Sequence, residues 1–393
     1  MGIIAGSMPR NDKIPIAILS SFPAWLYTKE VPKQDGHYAV WLAALHEGLK
    51  QQNDFDVHWI TLSKGLRKPV HIDISNQHLH VLPRIRRTIS QHSLYIVERL
   101  RVARELSAIK PELVHSWGTE DCYGLCARDF RGARLHSVQG AMKAYVGLAG
   151  FPWFVKVQSM YEPCVWKSMR HITTESPWAA DRVKEIVPSA EPILWEYAVE
   201  ERFFHMERHL APVPQCLYSG TNIPIKNVGF LIDAFSDPRL AHVQLKLAGV
   251  PAESLSRFTP NITPLGRVGR EEMVKLLSET WALVHMSLGD TGPTIVKEAR
   301  VAGVPVILSD RCGSVQHVDD GKSGYILSPD DREGFIRAVL KVTENAETAR
   351  KMGEHGRDIC RDRLSSTTML QHLLDIYWRL LRDEWATRSE LWD

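Results

Sequence analysis

No window of this 393-residue sequence approaches the roughly 18 uninterrupted apolar residues of a membrane-spanning helix, so any membrane contact is expected to be peripheral. Charge of one sign is equally scarce. Lys and Arg number 48 against 46 Asp and Glu, a formal net charge of +2, which removes the global electrostatic argument for a nucleic-acid partner. Only six cysteines occur, at 122, 126, 164, 216, 312 and 360. Cys122 and Cys126 can share a helix face, but no second pair stands at zinc-ligand spacing, and reduced thiols in a cytoplasmic protein are expected. The opening MGIIAGSMPRNDK holds an apolar run too short for a signal peptide. No G-x-G-x-x-G follows the first expected strand, which argues against a dinucleotide oxidoreductase. No Asp-x-Asp stands in a convincing loop, since Asp319-Asp320 reads as a turn before Gly321. Repeats and low-complexity tracts are missing too.

What remains is an ordinary globular composition, 44% apolar and 24% charged, in a chain long enough for two domains or three. Apolar runs that read as strands alternate with segments of helical period. Strands are expected at 14–20, 57–62, 79–82, 113–118, 135–138 and 171–174, with helices at 38–51 and from Pro177. A polar, proline-punctuated linker falls near 200–214, with Phe203-Phe204 as an anchor. The pattern restarts at 216–220 and continues with strands at 244–249, 262–265, 282–287, 305–309 and 324–327. Val228, Leu231, Ile232 and Phe235 fall on one helix face at 228–235, and helices at 334–345, 346–363 and 366–383 close the chain. Such alternation implies parallel, doubly wound sheets, with function at the C-terminal ends of the strands. The expected division is 1–207 joined by a C-terminal helix at 373–393, against 208–372.

The densest stretch is 287–324, SLGDTGPTIVKEARVAGVPVILSDRCGSVQHVDDGKSG. Asp290 and Glu298 stand eight residues apart around a loop that opens a helix. Gly292 is expected to permit an unusual backbone turn and Pro293 to occupy the first helical position. Ile295, Val296, Ala299 and Ala302 recur at helical spacing until Gly303 ends the element. Amides at Thr294 and Ile295, ahead of the first intrahelical bond, form an anion site. Glu298, one turn deeper, can accept hydrogen bonds from sugar hydroxyls. The plain alternative is an ordinary loop–helix–strand unit with two acids.

Asp290-x7-Glu298 with Gly303-Val304-Pro305-Val306 and Gly321 to Gly324 resembles the E-x7-E region of retaining glycosyltransferases of family 4, which have the GT-B fold. Leu217-Tyr218-Ser219-Gly220 with Lys226-Asn227 resembles the strand–Gly–Lys element that opens that family's nucleotide-binding domain. Leu265-Gly266-Arg267-Val268 resembles its base-contacting loop. The resemblance implies an α/β GT-B architecture of two Rossmann-like domains facing across a cleft. It implies transfer of a sugar, with retention and without metal or other cofactor, from a UDP- or GDP-linked donor to a glycan or lipid-linked acceptor. The setting implied is bacterial surface polysaccharide assembly.

Carried over residue by residue, Lys226 would stabilise the departing diphosphate, Glu298 would hold the ribose, and Asp290 would lie near the donor sugar. Gly220, Thr221, Arg267, Thr294 and Ile295 would line the nucleotide site, and the Val268 backbone would contact the base. Gly36 and His37 match the glycine-rich loop that approaches the diphosphate and acceptor. The sequence departs from the pattern at three places. Thr221 stands where the family usually has arginine, so either Arg267 or another cation compensates, or the enzyme is slow, or the donor differs. Gln139 replaces an active-site histidine and can hydrogen-bond but cannot act as a base. Gln316 stands where glutamate is common. His115 and Glu120, at another strand end, either line the acceptor side or, for His115, serve structure. A nucleotide-sugar epimerase or hydrolase and a non-catalytic glycosyltransferase-like binding subunit are the rival readings.

Between Arg84 and Lys110, seven basic residues stand against Glu98 and Glu105, with apolar residues interleaved. This surface suits docking on anionic lipid headgroups, or is an ordinary solvated helix face.

Overall fold

The structure, a computed structural model, describes residues 13–33, 40–148 and 150–390, with backbone alone at 40, 87, 88, 154 and 387–390. Gly36 and His37 lie outside the described residues. Two sheets organise the chain. The first holds β1 (Ile14–Leu19), β2 (Phe55–Ser63), β3 (Val70–Ile74), β4 (Gln77–Pro83), β5 (Leu113–Trp117), β6 (Ala133–Ser137), β7 (His171–Thr174) and β8 (Ile193–Leu194). Its order is β3-β4-β2-β1-β5-β6-β7-β8. The second holds β9 (Gln215–Ser219), β10 (Gln244–Ala248), β11 (Ile262–Gly266), β12 (Ala282–His285), β13 (Val306–Ser309) and β14 (Gly324–Leu327), in the order β11-β10-β9-β12-β13-β14.

Every strand pair of the second sheet is parallel. A parallel sheet needs helical crossovers and is covered on both faces, so its strands are apolar throughout. Strand β9 shows how the two layers divide. Cys216 and Tyr218 pack among Val228, Leu231, Phe235, Phe335 and Val339. Leu217, between them, faces Leu277, Val296, Ala299 and Leu308. This is the period of two expected of a strand. Each fully buried Leu or Phe contributes about 1.5–3 kcal/mol.

Strand β3 was not expected from the sequence, and it breaks the parallel rule. It pairs antiparallel with β4 at the sheet edge. Its sequence, VHIDI, alternates apolar with polar and is only partly buried, so it lacks the apolar run that marks a central strand. Strand β8 and the helices Met142–Leu148 and Trp153–Trp166 were not expected either, and the helix expected at 366–383 is observed as Ser366–Glu390, whereas the helix expected at 228–235 is observed as Val228–Phe235.

By internal packing the chain forms two compact units. The first comprises Met1–Trp117, Cys122–His136 and Asp375–Asp393, and the second Gly118–Asp121 and Ser137–Leu374. In the first unit, Tyr377 of the long helix Ser366–Glu390 donates or accepts a 2.8 Å bond with His115 Nδ1, and Trp385 donates to Glu112 at 2.6 Å. His115 is fully buried and stacked on Trp117. Burial, with His136 nearby, holds its pKa well below the usual histidine value. It is a structural histidine. No described helix is long and apolar enough to cross a membrane.

Candidate functional site

In the second sheet the strand sequence reverses direction between β9 and β12, which lie side by side. Open α/β sheets bind ligands at the carboxyl ends of the strands flanking such a switch point. Lys226 follows β9, and Asp290 follows β12. The fold therefore brings residues 64 positions apart together: Lys226 Nζ donates to Asp290 Oδ2.

The approach of the two loops is set by small residues. A Cβ on Gly249 would lie 2.4 Å from the Gly220 carbonyl oxygen, so the turns after β9 and β10 touch through backbone alone. Lys226 ends a 3-10 turn, Pro224–Lys226, and Leu288 N donates to Ile225 O at 2.8 Å, which ties that turn to the Asp290 loop. Asn227 secures the other side by donating to Met286 O at 3.0 Å and Pro329 O at 3.1 Å.

Asp290 is 6% exposed and also accepts from His285 Nε2 at 3.0 Å. Burial alone would raise its carboxyl, but Lys226 and His285 outweigh that and hold it well below the usual carboxylate range. Burial lowers His285, so a neutral ring donating from Nε2 is the form that fits. His285 stayed unrecognised in the sequence; a polar residue interrupting the run 282–286 was the available signal.

The helix Thr294–Val301 begins one residue later than expected. Pro293 is its N-cap, with φ −66° and ψ 116°, so it precedes the first turn rather than occupying it. Gly292 does not adopt positive φ. It is needed for room, because a Cβ there would meet Glu175 Oε2 at 2.9 Å. Gly303 does take φ +73° and ends the helix as expected. Thr294 and Ile295 stand in the first turn, where amides have no intrahelical acceptor.

Glu298 is 2% exposed and accepts from Arg270 Nη2 at 2.7 Å, while Arg270 also reaches Glu200 at 2.7 Å. Burial pushes the Glu298 carboxyl up, against the pull of Arg270. Arg270 was not foreseen. Arg267, which was, is exposed and makes no hydrogen bond or ion pair among the described residues; Val268 beside it is half-buried. Gly220 and Thr221 follow β9, with the Thr221 side exposed and its carbonyl accepting from Tyr218 Oη at 3.0 Å.

Within the same unit, Gln139 reaches this loop through its backbone. Thr291 Oγ1 donates to Gln139 O, Ser176 Oγ donates to Thr291 O at 2.7 Å, and Thr291 N donates to Tyr145 Oη at 3.2 Å. Gln139 Oε1 lies over Gly118, which has φ +69° and no space for a Cβ, since one would stand 2.2 Å from Glu120 Oε2. Burial raises the Glu120 carboxyl to about 7. Beneath, buried Glu162 accepts from Thr119 Oγ1 and Met142 N at 2.8 Å and Lys143 N at 2.9 Å. Gln316 donates to Glu175 O at 3.0 Å and to Glu196 at 3.1 Å, a structural place. All six cysteines are free.

Residues 213–345 match the family model described as glycosyl transferases group 1. Alignments span about a fifth of the length of most curated relatives matched. The O-antigen chain mannosyltransferase C of Escherichia coli is 23% identical over 197 residues, 48% of this chain and 50% of that one. Sucrose-phosphate synthase from Thermosynechococcus elongatus superposes with a TM-score of 0.76 at 18% identity, covering 94% of this chain and 100% of that one. Anabaena HepE, in complex with UDP and glucose, superposes with a TM-score of 0.67 at 11% identity, covering 93% and 100%. The fold is GT-B, mixed α/β with two Rossmann-like sheets.

Proposed function

We propose that the chain is a retaining, metal-independent hexosyltransferase of the family 4 type, which moves a sugar from a UDP- or GDP-linked donor to a glycan or lipid-linked acceptor. Bacterial polysaccharide synthesis is the proposed setting, in keeping with the O-antigen mannosyltransferase among its relatives. The observation that carries the reading is the meeting of Lys226 and Asp290 at the switch point of the second sheet, beside the open helix start at Thr294 and Ile295.

The chemical demand is negative charge growing on a departing diphosphate. Lys226 and the amides of Thr294 and Ile295 are fixed donors aimed at such charge, which is the main electrostatic resource of a transferase. Asp290 would keep Lys226 oriented and lie near the donor sugar. Glu298, held by Arg270, would accept from the ribose hydroxyls. Arg267 would supply the cation that Thr221 does not, with Gly220 and the Val268 backbone against the nucleotide. Gln139 would hydrogen-bond an acceptor or donor hydroxyl, leaving acceptor deprotonation to the departing phosphate. Gly36 and His37 would close the diphosphate side. The division 1–207 with 373–393 against 208–372 is proposed to separate acceptor from donor binding. Peripheral attachment to an anionic bilayer is proposed for the 84–110 surface, where Leu94, Ile96 and Leu100 are exposed beside Arg86 and Arg104. Arg99 and Arg101 are already engaged by Asp129 and the Pro83 carbonyl.

Calorimetric titration of UDP, GDP and ADP into wild type and Lys226→Ala, with no divalent metal, tests the reading. One nucleotide should bind wild type and be lost from the variant. Absence of binding by all three would favour a non-catalytic binding subunit, in which Thr221 and Gln139 mark a dismantled site.

A further inference from the structure

The edge of the first sheet carries four histidines and three carboxylates that no step of the proposed transfer uses. They meet through register. His58 on β2 is opposite His78 on β4, which is opposite Asp73 on β3; one step along, His80 is opposite His71. Residues two apart on a strand share a face, so Asp56 joins His58, and Glu105 of the helix Ile96–Ile109 closes the end of the row.

The ring nitrogens form a relay. His78 Nδ1 faces Asp73 Oδ1 at 2.6 Å, and His78 Nε2 faces Asp56 Oδ1 at 3.1 Å. His58 Nε2 faces Asp56 Oδ2 at 3.1 Å, and its Nδ1 faces His80 Nε2 at 3.0 Å. His80 Nδ1 then faces Glu105 Oε1 at 2.7 Å and His71 Nδ1 at 3.0 Å. Counted from Asp73 to Glu105, five facings need a proton, and three neutral imidazoles carry one N–H each. Two facings are unsatisfied, and both can be placed at Asp56.

We propose that Asp56, His58 and His78 bind one divalent transition-metal ion, of the zinc class that imidazole and carboxylate ligands favour. Their ligand atoms lie within 4.8 Å of one another. Tetrahedral bonds of about 2.0–2.1 Å place ligand atoms about 3.3 Å apart; His58 Nε2 and His78 Nε2 each stand 3.1 Å from a different oxygen of Asp56, on rings that stack with centroids 4.7 Å apart. An ion there takes the Nε2 lone pairs of both rings. The remaining three facings then have their three protons: His78 Nδ1–H to Asp73, His58 Nδ1–H to His80, and His80 Nδ1–H to Glu105. Each ligand histidine is thus oriented through its other nitrogen, the outer-shell arrangement that metal-bound imidazoles need.

The second group, His71, His80 and Glu105, also has ligand spacing, but the relay excludes it while the first is filled. A metal on His80 Nδ1 forces a proton onto His80 Nε2, then one onto His58 Nε2, which removes that ring from the first site. It also leaves His78 one proton short. One ion per chain is therefore expected, held at Asp56 and tying β2 to β4.

The probe is zinc chloride titrated calorimetrically into the metal-free full chain, with bound zinc counted after dialysis. One equivalent is expected, with a rise in thermal midpoint. His58→Ala and His78→Ala should each abolish that equivalent and the rise. Asp73→Asn, at a side chain 81% exposed and so without risk to the fold, should lower affinity about 10- to 100-fold. His71→Ala should bind as wild type does. No zinc uptake by wild type, two equivalents, unchanged affinity in Asp73→Asn, or loss in His71→Ala would each overturn the proposal.

Discussion

The loop around Asp290 and the histidine face of β2, β3 and β4 both gather buried or half-buried charges, yet they satisfy them differently. Near Asp290 three carboxylates have a permanent cation: Lys226 for Asp290, Arg270 for Glu298, Lys297 for Glu175. On the histidine face the carboxylates meet imidazoles, whose single N–H cannot serve two acceptors. The first arrangement sets opposite charges directly against each other. The second sets more acceptors in a row than neutral rings have N–H groups to offer. Fixed charge suits the preorganised donor site proposed above; a row of imidazole nitrogens facing a carboxylate suits the capture of an ion.

The contrast breaks most visibly at Lys297→Met. Lys297 Nζ donates to Glu175 Oε1 and, at 3.3 Å, to Tyr197 O, with 3% and 8% of the two charged side chains exposed. Burial raises Glu175 and Lys297 opposes it, so methionine leaves an uncompensated buried carboxylate. Stability should fall by about 3–5 kcal/mol, read by urea unfolding, with nucleotide affinity retained in the folded fraction. A loss under about 1 kcal/mol would show that fixed pairing is not what holds this region.

Lys226→Ala moves the test to the donor. Asp290 keeps His285 but loses its cation. Turnover should drop about 10²- to 10³-fold, the usual cost of one donor at a developing oxyanion. Wild-type rates in the variant would remove Lys226 from the mechanism.

How much of this was legible follows the same divide. Asp290 and Glu298 lie eight apart, so spacing alone put one on the loop and the other on the helix it opens, and the helix Val228–Phe235 was readable from four apolar positions. Pairings across the fold were not. Arg270 reaches Glu298 from another helix, and His285 reaches Asp290 only because β12 ends where the loop returns. Gly292 was misassigned because sequence cannot distinguish a need for positive φ from a need for space. The histidine face was missed since Asp56-x-His58, His71-x-Asp73 and His78-x-His80 become neighbours only through strand register, with β3 itself unrecognised. Period-two repetition of ligating residues in three nearby segments was the signal present.

Glu162 sharpens the comparison further, since backbone N–H groups replace the cation there. Burial raises its carboxyl to about 7 in spite of bonds from Lys143 N, Thr119 Oγ1 and Met142 N. The folded state then holds the proton more tightly than the unfolded chain. Its contribution is full below the ordinary glutamate value of 4.5 and is lost as pH rises through about 7. Glu162→Gln should flatten that decline, which amounts to at most about 3 kcal/mol. Urea unfolding at mildly acid and neutral pH measures it, and an equal slope in both proteins would exclude Glu162 as its source.

The smallest effect is expected at Tyr145, which carries no charge at ordinary pH. Burial pushes its phenol further up, so the hydroxyl acts only as a hydrogen-bonding group. It accepts from Thr291 N at 3.2 Å and donates to Thr291 Oγ1 at 3.4 Å. Phenylalanine would leave that amide without its acceptor, at about 1 kcal/mol, while the Thr291 hydroxyl keeps Gln139 O. Asp290 would remain anchored by its own amide on Arg311 O at 3.1 Å and by Lys226. Tyr145→Phe should therefore shift thermal stability slightly and leave nucleotide affinity unchanged in calorimetry. If affinity fell as far as it does in Lys226→Ala, the Asp290 loop would depend on neutral hydrogen bonds rather than on fixed charge, and the contrast with the histidine face would fail on its stronger side.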